Sequence, residues 1–292
     1  MSDDRTTQVA RVALFCLAML LIVELSPLVT KALSWSAQLQ ELAATLFFFL
    51  TFGLMYFVLK VFLRWEGRYS ITELGLTLDS NTVPLTAVGA FAGLLAAGFV
   101  VLLAANLGGQ LRPPSEITAD LVLSEAIITA PVAVFEELSY RGYMMSRMTR
   151  LWGLPGGLIV SSIVFSIVHF GWWSPLGLVP YHLVALFSLN LFVGGVVLGL
   201  GYHFSGHRLW APVGFHFSWN MMAYILFPLY PSEPVRAPEL FQIEWGITTM
   251  PGFALGLIVM LLLMMVVMKK EKGGESAPGR LGRTTARPQA GD

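Results

Sequence analysis

Apolar runs long enough to span a bilayer as a helix, about 20 residues each, recur along nearly the whole chain. Within lipid, only helices and closed barrels satisfy every backbone hydrogen-bonding group. Eight such runs can be drawn, at about residues 10–34, 41–63, 83–107, 121–148, 155–173, 180–203, 209–229 and 248–268. The sequence therefore predicts an all-α protein, a polytopic membrane bundle of about eight transmembrane helices.

The composition indicates the same class. The chain is 55% hydrophobic and 12% charged, with a mean hydropathy of +0.69, whereas soluble domains carry about 25% charged residues. Cys16 is the only cysteine, so neither an intrachain disulfide nor a cysteine-based metal site is possible. No feature indicates nucleic-acid binding, and the lipid bilayer is the first expected partner.

Positive charges predict how the bundle is oriented. If the N-terminus is cytoplasmic, the cytoplasmic side holds fourteen Lys and Arg residues and the opposite side holds only Lys31, Arg112 and Arg236. Cytoplasmic loops carry an excess of Lys and Arg, so both termini are expected in the cytoplasm. In a prokaryote this would be a multi-pass protein of the cytoplasmic membrane. Residues 1–268 are expected to form the membrane domain, and the polar, basic residues 269–292 a disordered cytoplasmic tail.

A few charged side chains lie inside the apolar runs, where each costs from about 3 to more than about 10 kcal/mol at the bilayer centre. The stretch VFEELSYRGY places Glu136, Glu137 and Arg141 in the fourth run. Glu137 and Arg141 are four residues apart and share a helix face, so they can pair. Glu136 points about 100° away from Glu137. We predict that it is left facing another helix or water.

Polar residues in two other runs are expected at a similar depth. His169 follows Phe165 by four residues in the fifth run, and His216 and Asn220 are four apart in the seventh. At about 1.5 Å per residue, Glu136 and Asn220 lie about 16 Å from the cytoplasmic ends of their runs. On the same rise His216 lies about 11 Å and His169 about 21 Å deep. Three helices are therefore predicted to present polar groups near one level.

In this order, the motifs E-E-x-x-x-R, F-x-x-x-H and H-x-x-x-N resemble those of the CPBP family of intramembrane proteases. That family comprises type II CAAX prenyl endopeptidases and bacteriocin-processing enzymes, and is also called the ABI family. The motifs stand here as Glu136-Glu137…Arg141, Phe165…His169 and His216…Asn220. The resemblance covers about residues 121–225 and says little about the first three runs or the tail.

The resemblance implies an endopeptidase that hydrolyses a peptide bond of a membrane-associated or lipid-tethered protein or peptide. Glu136 would activate a water molecule, and His169 would help to hold or polarise it. His216 and Asn220 would stabilise the oxyanion of the tetrahedral intermediate, as preorganised donors do. The remaining motif residues would shape the site: Glu137, Arg141 and Phe165. No residue indicates a prenyl group on the substrate.

The resemblance leaves the role of a metal open, because family members have been described both as metalloproteases and as metal-free glutamate enzymes. If a divalent metal such as zinc binds, the candidate ligands are Glu136, His169 and His216, a Glu and His set of the kind that zinc accepts. The chain lacks the local H-E-x-x-H spacing that indicates zinc. This favours the metal-free glutamate mechanism, with no firm cofactor.

Two other functions are compatible with buried polar groups. In a proton- or ion-coupled transporter, buried Glu and His form a relay, but such proteins favour polar groups strung across the membrane and inverted repeats. Here the polar set is expected at one level, and the sequence shows no internal repeat. The other alternative is a non-enzymatic membrane partner, such as an immunity protein on the same fold. Intact motifs show that a chain could catalyse the reaction, but not that it does so.

Overall fold

A computed structural model describes residues 4–33, 37–68, 70–108, 111–169, 181–227 and 246–274. Across these ranges the chain is helical and contains no strand, which confirms the all-α prediction. Eight long α-helices follow the order of the eight apolar runs: α1 (Arg5–Leu33), α2 (Ala37–Trp65), α3 (Thr82–Leu107), α4 (Ala119–Glu137), α5 (Ser146–Val168), α6 (Tyr181–Phe204), α7 (Trp210–Leu226) and α8 (Thr249–Gly274).

Six stretches of the described residues are long and apolar enough to cross a membrane: Arg5–Leu25, Thr45–Trp65, Thr82–Leu107, Ala119–Val168, Tyr181–Phe204 and Thr249–Met268. The fourth stretch has 50 residues and contains the fourth predicted run and most of the fifth. Helix α7, with 17 residues, is shorter than these stretches. The chain is thus an integral, multi-pass membrane protein. The number of about eight crossings and the side on which the termini lie stay predictions.

The fourth and fifth runs are joined through two irregular segments. A π-helix, Leu138–Met145, follows α4 directly and continues into α5. Within α5, Gly153 has φ 72° and ψ 173°, a backbone conformation outside the helical range. Glycine adopts this conformation without a Cβ clash, and Pro155 is tolerated in the first turn of the helix that resumes after it. The backbone is therefore unbroken from Ala119 to Trp152 and changes direction at Gly153.

Two buried apolar clusters flank the region where the motifs meet. The first contains residues of α1, α2 and the π-helix, among them Phe15, Leu63 and Tyr143. The second contains residues of α3, α7 and α8, and in it the rings of Trp219 and Phe253 stack with their centroids 4.2 Å apart. Helix α4 contacts α7, and this contact brings Glu136 and His216 together.

Most of the described cations gather on one face of the bundle. Arg5 donates to the carbonyl of Leu151, and the guanidinium of Arg208 lies 3.1 Å from Asp79. This is the face predicted to be cytoplasmic. Helix α8 runs on to Gly274, into the segment for which a disordered tail is predicted. Residues 275–292 lie outside the described part of the chain, so the division into membrane domain and tail stays a prediction.

Candidate active site

The first motif lies across a junction between two kinds of helix. Glu136 and Glu137 are the last residues of α4, and the π-helix begins at Leu138. A π-helix closes each turn with one more residue than an α-helix, is rare, and is frequent at functional sites. All eight residues of this π-helix are buried. The motif spacing alone did not reveal the wider turn.

Glu137 and Arg141 form the predicted ion pair. Arg141 Nη1 lies 2.7 Å from Glu137 Oε1, and both side chains are almost fully buried. Arg141 Nη2 also donates to the carbonyl of Gly195 in α6, at 3.5 Å. The guanidinium carbon lies 4.2 Å from the centroid of the Phe165 ring, a cation–π contact. The arginine is thus satisfied on three sides.

Glu136 faces two imidazoles from other helices. Its Oε2 atom lies 3.3 Å from Nε2 of His169, which follows the last residue of α5, and 3.9 Å from Nε2 of His216 in α7. The side chain of Glu136 is 16% exposed and that of His169 is 26% exposed, whereas the Oε2 atom of Glu136 is itself buried. Asn220 is buried one helical turn beyond His216 on α7. The convergence of Glu136, His169 and His216 agrees with the depths calculated from the sequence.

The tautomer of His169 follows from its second contact. His169 Nδ1 lies 2.6 Å from the carbonyl oxygen of Phe165, and a carbonyl oxygen only accepts hydrogen bonds. Nδ1 therefore carries a proton, and Nε2 is the atom that faces Glu136. An attractive contact between Nε2 and Oε2 then requires one proton between them. Glu136 and His169 can hold and exchange this proton, as a general base and its partner must.

His216 is oriented by the second glutamate of the motif. Its Nδ1 atom lies 2.9 Å from Glu137 Oε1, the same oxygen that accepts from Arg141. An ionised carboxylate only accepts, so Nδ1 donates and Nε2 points toward Glu136. The sequence paired Glu137 with Arg141 alone. The structure adds His216, because α7 brings this residue against α4.

Tyr140 lines the candidate site, and the sequence analysis did not identify this residue. It is buried, and its ring packs edge-on against Phe165 with the centroids 5.1 Å apart. Its ring centroid lies 6.5 Å from that of His169. Tyr140 follows Glu136 by four residues, the spacing that places two side chains on one helix face. That spacing was the available signal.

The candidate metal ligands Glu136, His169 and His216 converge. In the part of the chain that the structure describes, no group of three or more His, Cys, Asp or Glu side chains is arranged to hold a metal ion. His216 also directs Nδ1 to Glu137, and His169 directs Nδ1 to a carbonyl.

Comparison with known proteins identifies the region that carries these residues. Residues 119–222 match the family model described as type II CAAX prenyl endopeptidase Rce1-like. The match begins at the first residue of α4 and ends within α7, so it includes all three motifs. No curated protein matches the chain significantly. The segment that brings Glu136 to His169 and His216 is therefore similar to the Rce1-like, type II CAAX prenyl endopeptidase family, the family that its motifs resemble.

Proposed function

We propose that this protein is an intramembrane endopeptidase that cleaves a membrane-associated or lipid-tethered protein or peptide. The family match supports peptidase activity in general. The observation that carries the specific proposal is the contact of Glu136 Oε2 with imidazoles from two other helices. A carboxylate so placed has partners with which it can exchange a proton.

In the proposed first step, a water molecule that binds beside Glu136 and His169 attacks the substrate carbonyl. Glu136 takes one proton of this water as the carbon–oxygen bond forms. His169 is held by the Phe165 carbonyl, so its Nε2 atom stays directed at the water. A positioned base of this kind contributes about 10²–10⁴-fold in rate.

The attack leaves a negative charge on the former carbonyl oxygen, and His216 and Asn220 are the proposed donors to it. His216 donates from Nε2 only when its ring is doubly protonated, because Nδ1 already donates to Glu137. Each preorganised donor of this type is worth about 10²–10³-fold in rate. Glu136 then returns its proton to the departing amine as the carbon–nitrogen bond breaks.

The test is cleavage of a membrane-tethered peptide reporter by purified protein in proteoliposomes. We expect Glu136→Gln to lower the rate by at least about 10²-fold, because the amide cannot accept the water proton. Glu125→Gln is the matched control: Glu125 is also a buried glutamate of α4, and this change should leave cleavage near the wild-type rate. Undiminished cleavage by Glu136→Gln contradicts the proposal.

The same assay tests whether cleavage requires a metal ion. Because no step uses a metal, dialysis against a chelator should leave the rate unchanged. Loss of cleavage that added zinc restores would instead assign the water to a metal site.

Comparing the membrane proteomes of cells with wild type and with Glu136→Gln would reveal the substrate, as a protein that accumulates uncut in the variant.

Two outcomes would favour the other functions. Full rescue of a deletion phenotype by Glu136→Gln would indicate a non-enzymatic membrane partner. Ion or proton uptake into liposomes that requires His169 would indicate a transporter. Neither is expected, because Glu136, His169 and His216 meet at one point rather than forming a path across the bundle.

A further inference from the structure

A cavity lined by arginines lies on the face of the bundle predicted to be cytoplasmic. Its volume is about 190 Å³. It lies between the start of α1, the end of α2 and the start of α5, and its polar lining is Gln8, Arg11, Glu66, Arg68, Arg147 and Arg150. We propose that this cavity, the arginine pocket, binds the phosphate group of an anionic phospholipid. The proposal does not depend on proteolytic activity.

The charges of the pocket do not cancel. Glu66 is engaged by Arg147, whose Nη2 and Nε atoms lie 2.6 and 3.2 Å from Oε2. Arg68 donates to Glu73 at 2.8 Å, outside the pocket. Four guanidinium groups therefore face two carboxylates, even when Glu73 is included. The excess of positive charge suits an anion.

Two of the arginines are held in place before any ligand arrives. Arg11 and Arg147 are 5% and 7% exposed, and their guanidinium carbons lie 4.9 Å from the ring centroid of Trp65 and 4.2 Å from that of Tyr143. Arg150 is exposed at the rim. A guanidinium held in one plane matches the oxygens of a phosphate better than an ammonium does.

The position of the pocket favours a lipid over a free phosphate. The candidate span of α2 ends at Trp65, and Glu66 and Arg68 follow directly. Trp65 is half exposed, as expected of an aromatic residue at the membrane interface. The pocket therefore lies at the level of the lipid headgroups. Basic pockets between helices at this level bind anionic headgroups.

The experiment measures binding of phosphatidylglycerol and phosphatidylcholine to the full-length protein by native mass spectrometry, with inorganic phosphate as a separate probe. The test variant is Arg68→Gln/Arg150→Gln. The matched control, Arg64→Gln/Arg208→Gln, removes the same charge from the same face but outside the pocket. At about 1 kcal/mol for each arginine near the surface, the test variant should bind phosphatidylglycerol about 30-fold more weakly. The control should stay within about threefold of wild type.

Three results would overturn the proposal: equal binding of the two lipids by wild type, equal losses in the test and control variants, or phosphate binding without a preference for phosphatidylglycerol. If the double variant does not fold, the exposed Arg150→Gln replaces it. This single change should weaken phosphatidylglycerol binding about fivefold and leave the unfolding temperature unchanged.

Discussion

At the scale of single residues, Glu137 determines the geometry of the candidate site although it is not the proposed base. One of its oxygens accepts from both Arg141 and His216. The carboxylate thereby neutralises a buried cation and fixes the ring that faces Glu136. Removing one member of a buried ion pair leaves an uncompensated charge, which costs about 3–5 kcal/mol.

This reasoning predicts strongly non-additive effects on stability. Glu137→Gln should destabilise the protein by about 3–5 kcal/mol, because Arg141 remains buried without its counter-charge. Glu137→Gln/Arg141→Met should be less destabilised than this single variant, because an apolar side chain replaces the orphaned cation. Unfolding in detergent gives both free energies.

Glu136→Gln is the control for these stability measurements, since it removes the neighbouring carboxylate but not the partner of Arg141. It should change stability far less than Glu137→Gln. Additive effects of the two substitutions at 137 and 141 would show that the pair is not the stabilising unit.

The sequence predicted the local part of this arrangement but not the long-range part. The spacing of Glu137 and Arg141 within one helix was sufficient to pair them and to leave Glu136 for another partner. The contact of Glu137 with His216 joins residues 79 positions apart. It depends on how α7 packs against α4, which no motif spacing encodes.

At the scale of helices, the close approach of α3 and α7 positions His216. A Cβ atom at Gly214, two residues before His216, would overlap the carbonyl oxygen of Thr86 in α3. Small residues permit such close helix packing in membranes. The position of the imidazole therefore depends on a residue that touches no substrate.

Gly214→Ala should destabilise the protein by about 1–3 kcal/mol through overpacking and should lower cleavage by displacing His216. Thermal unfolding and the reporter assay measure the two effects. Gly98→Ala in α3 is the control, because a Cβ there meets no atom of the described residues within 4 Å. If Gly214→Ala changed neither stability nor cleavage, α3 and α7 could move apart at little cost in free energy.

A second contact between helices joins the end of α2 to α5 through Glu66. Burial raises the pKa of this carboxyl, but hydrogen bonds from Arg147 and Tyr143 and the nearby positive charges outweigh burial and hold the pKa below its usual value. Such a group stabilises the fold above its unfolded pKa of about 4.3, and the stabilisation is lost as pH falls through the folded value.

The unfolding temperature of wild type should therefore fall as pH is lowered below about 4.3. Glu66→Gln, which has already lost the charge, should be less stable at neutral pH and show a smaller further fall on acidification. Glu73→Gln removes an exposed partner of Arg68 and should keep the wild-type profile. Parallel profiles for wild type and Glu66→Gln would contradict the assignment.

At the scale of the whole molecule, the two faces of the bundle differ in charge. Five described arginines surround the arginine pocket and its rim: Arg5, Arg11, Arg68, Arg147 and Arg150. On the opposite face Arg112 donates to the carbonyls of Ile225 and Tyr224 at the end of α7. The positive-inside bias predicts that the first face is cytoplasmic.

Single cysteines introduced into a Cys16→Ala background test this orientation. Leu78 is exposed on the arginine-rich face beside Asp79, and Ser115 is exposed on the opposite face beside Glu116. A membrane-impermeant maleimide should label Ser115→Cys in intact cells and Leu78→Cys only after lysis. The reverse labelling would invert the predicted topology.

Hydropathy was sufficient to order the eight helices because each run must satisfy its backbone within lipid. It did not reveal the π-helix at Leu138–Met145, since hydropathy does not distinguish a π-helical turn from an α-helical one. It also placed the end of α8 before Gly274, because the lysines that follow Met268 are helical although they are polar.

The unbroken backbone between Glu136 and Arg147 has a mechanical consequence. These two residues are eleven positions apart on one continuous helical rod, and the first change in direction comes only at Gly153. A displacement of Arg147 at the membrane surface is therefore expected to move Glu136 as well. If the chain is the proposed peptidase, its cleavage rate should depend on headgroup composition and bilayer thickness.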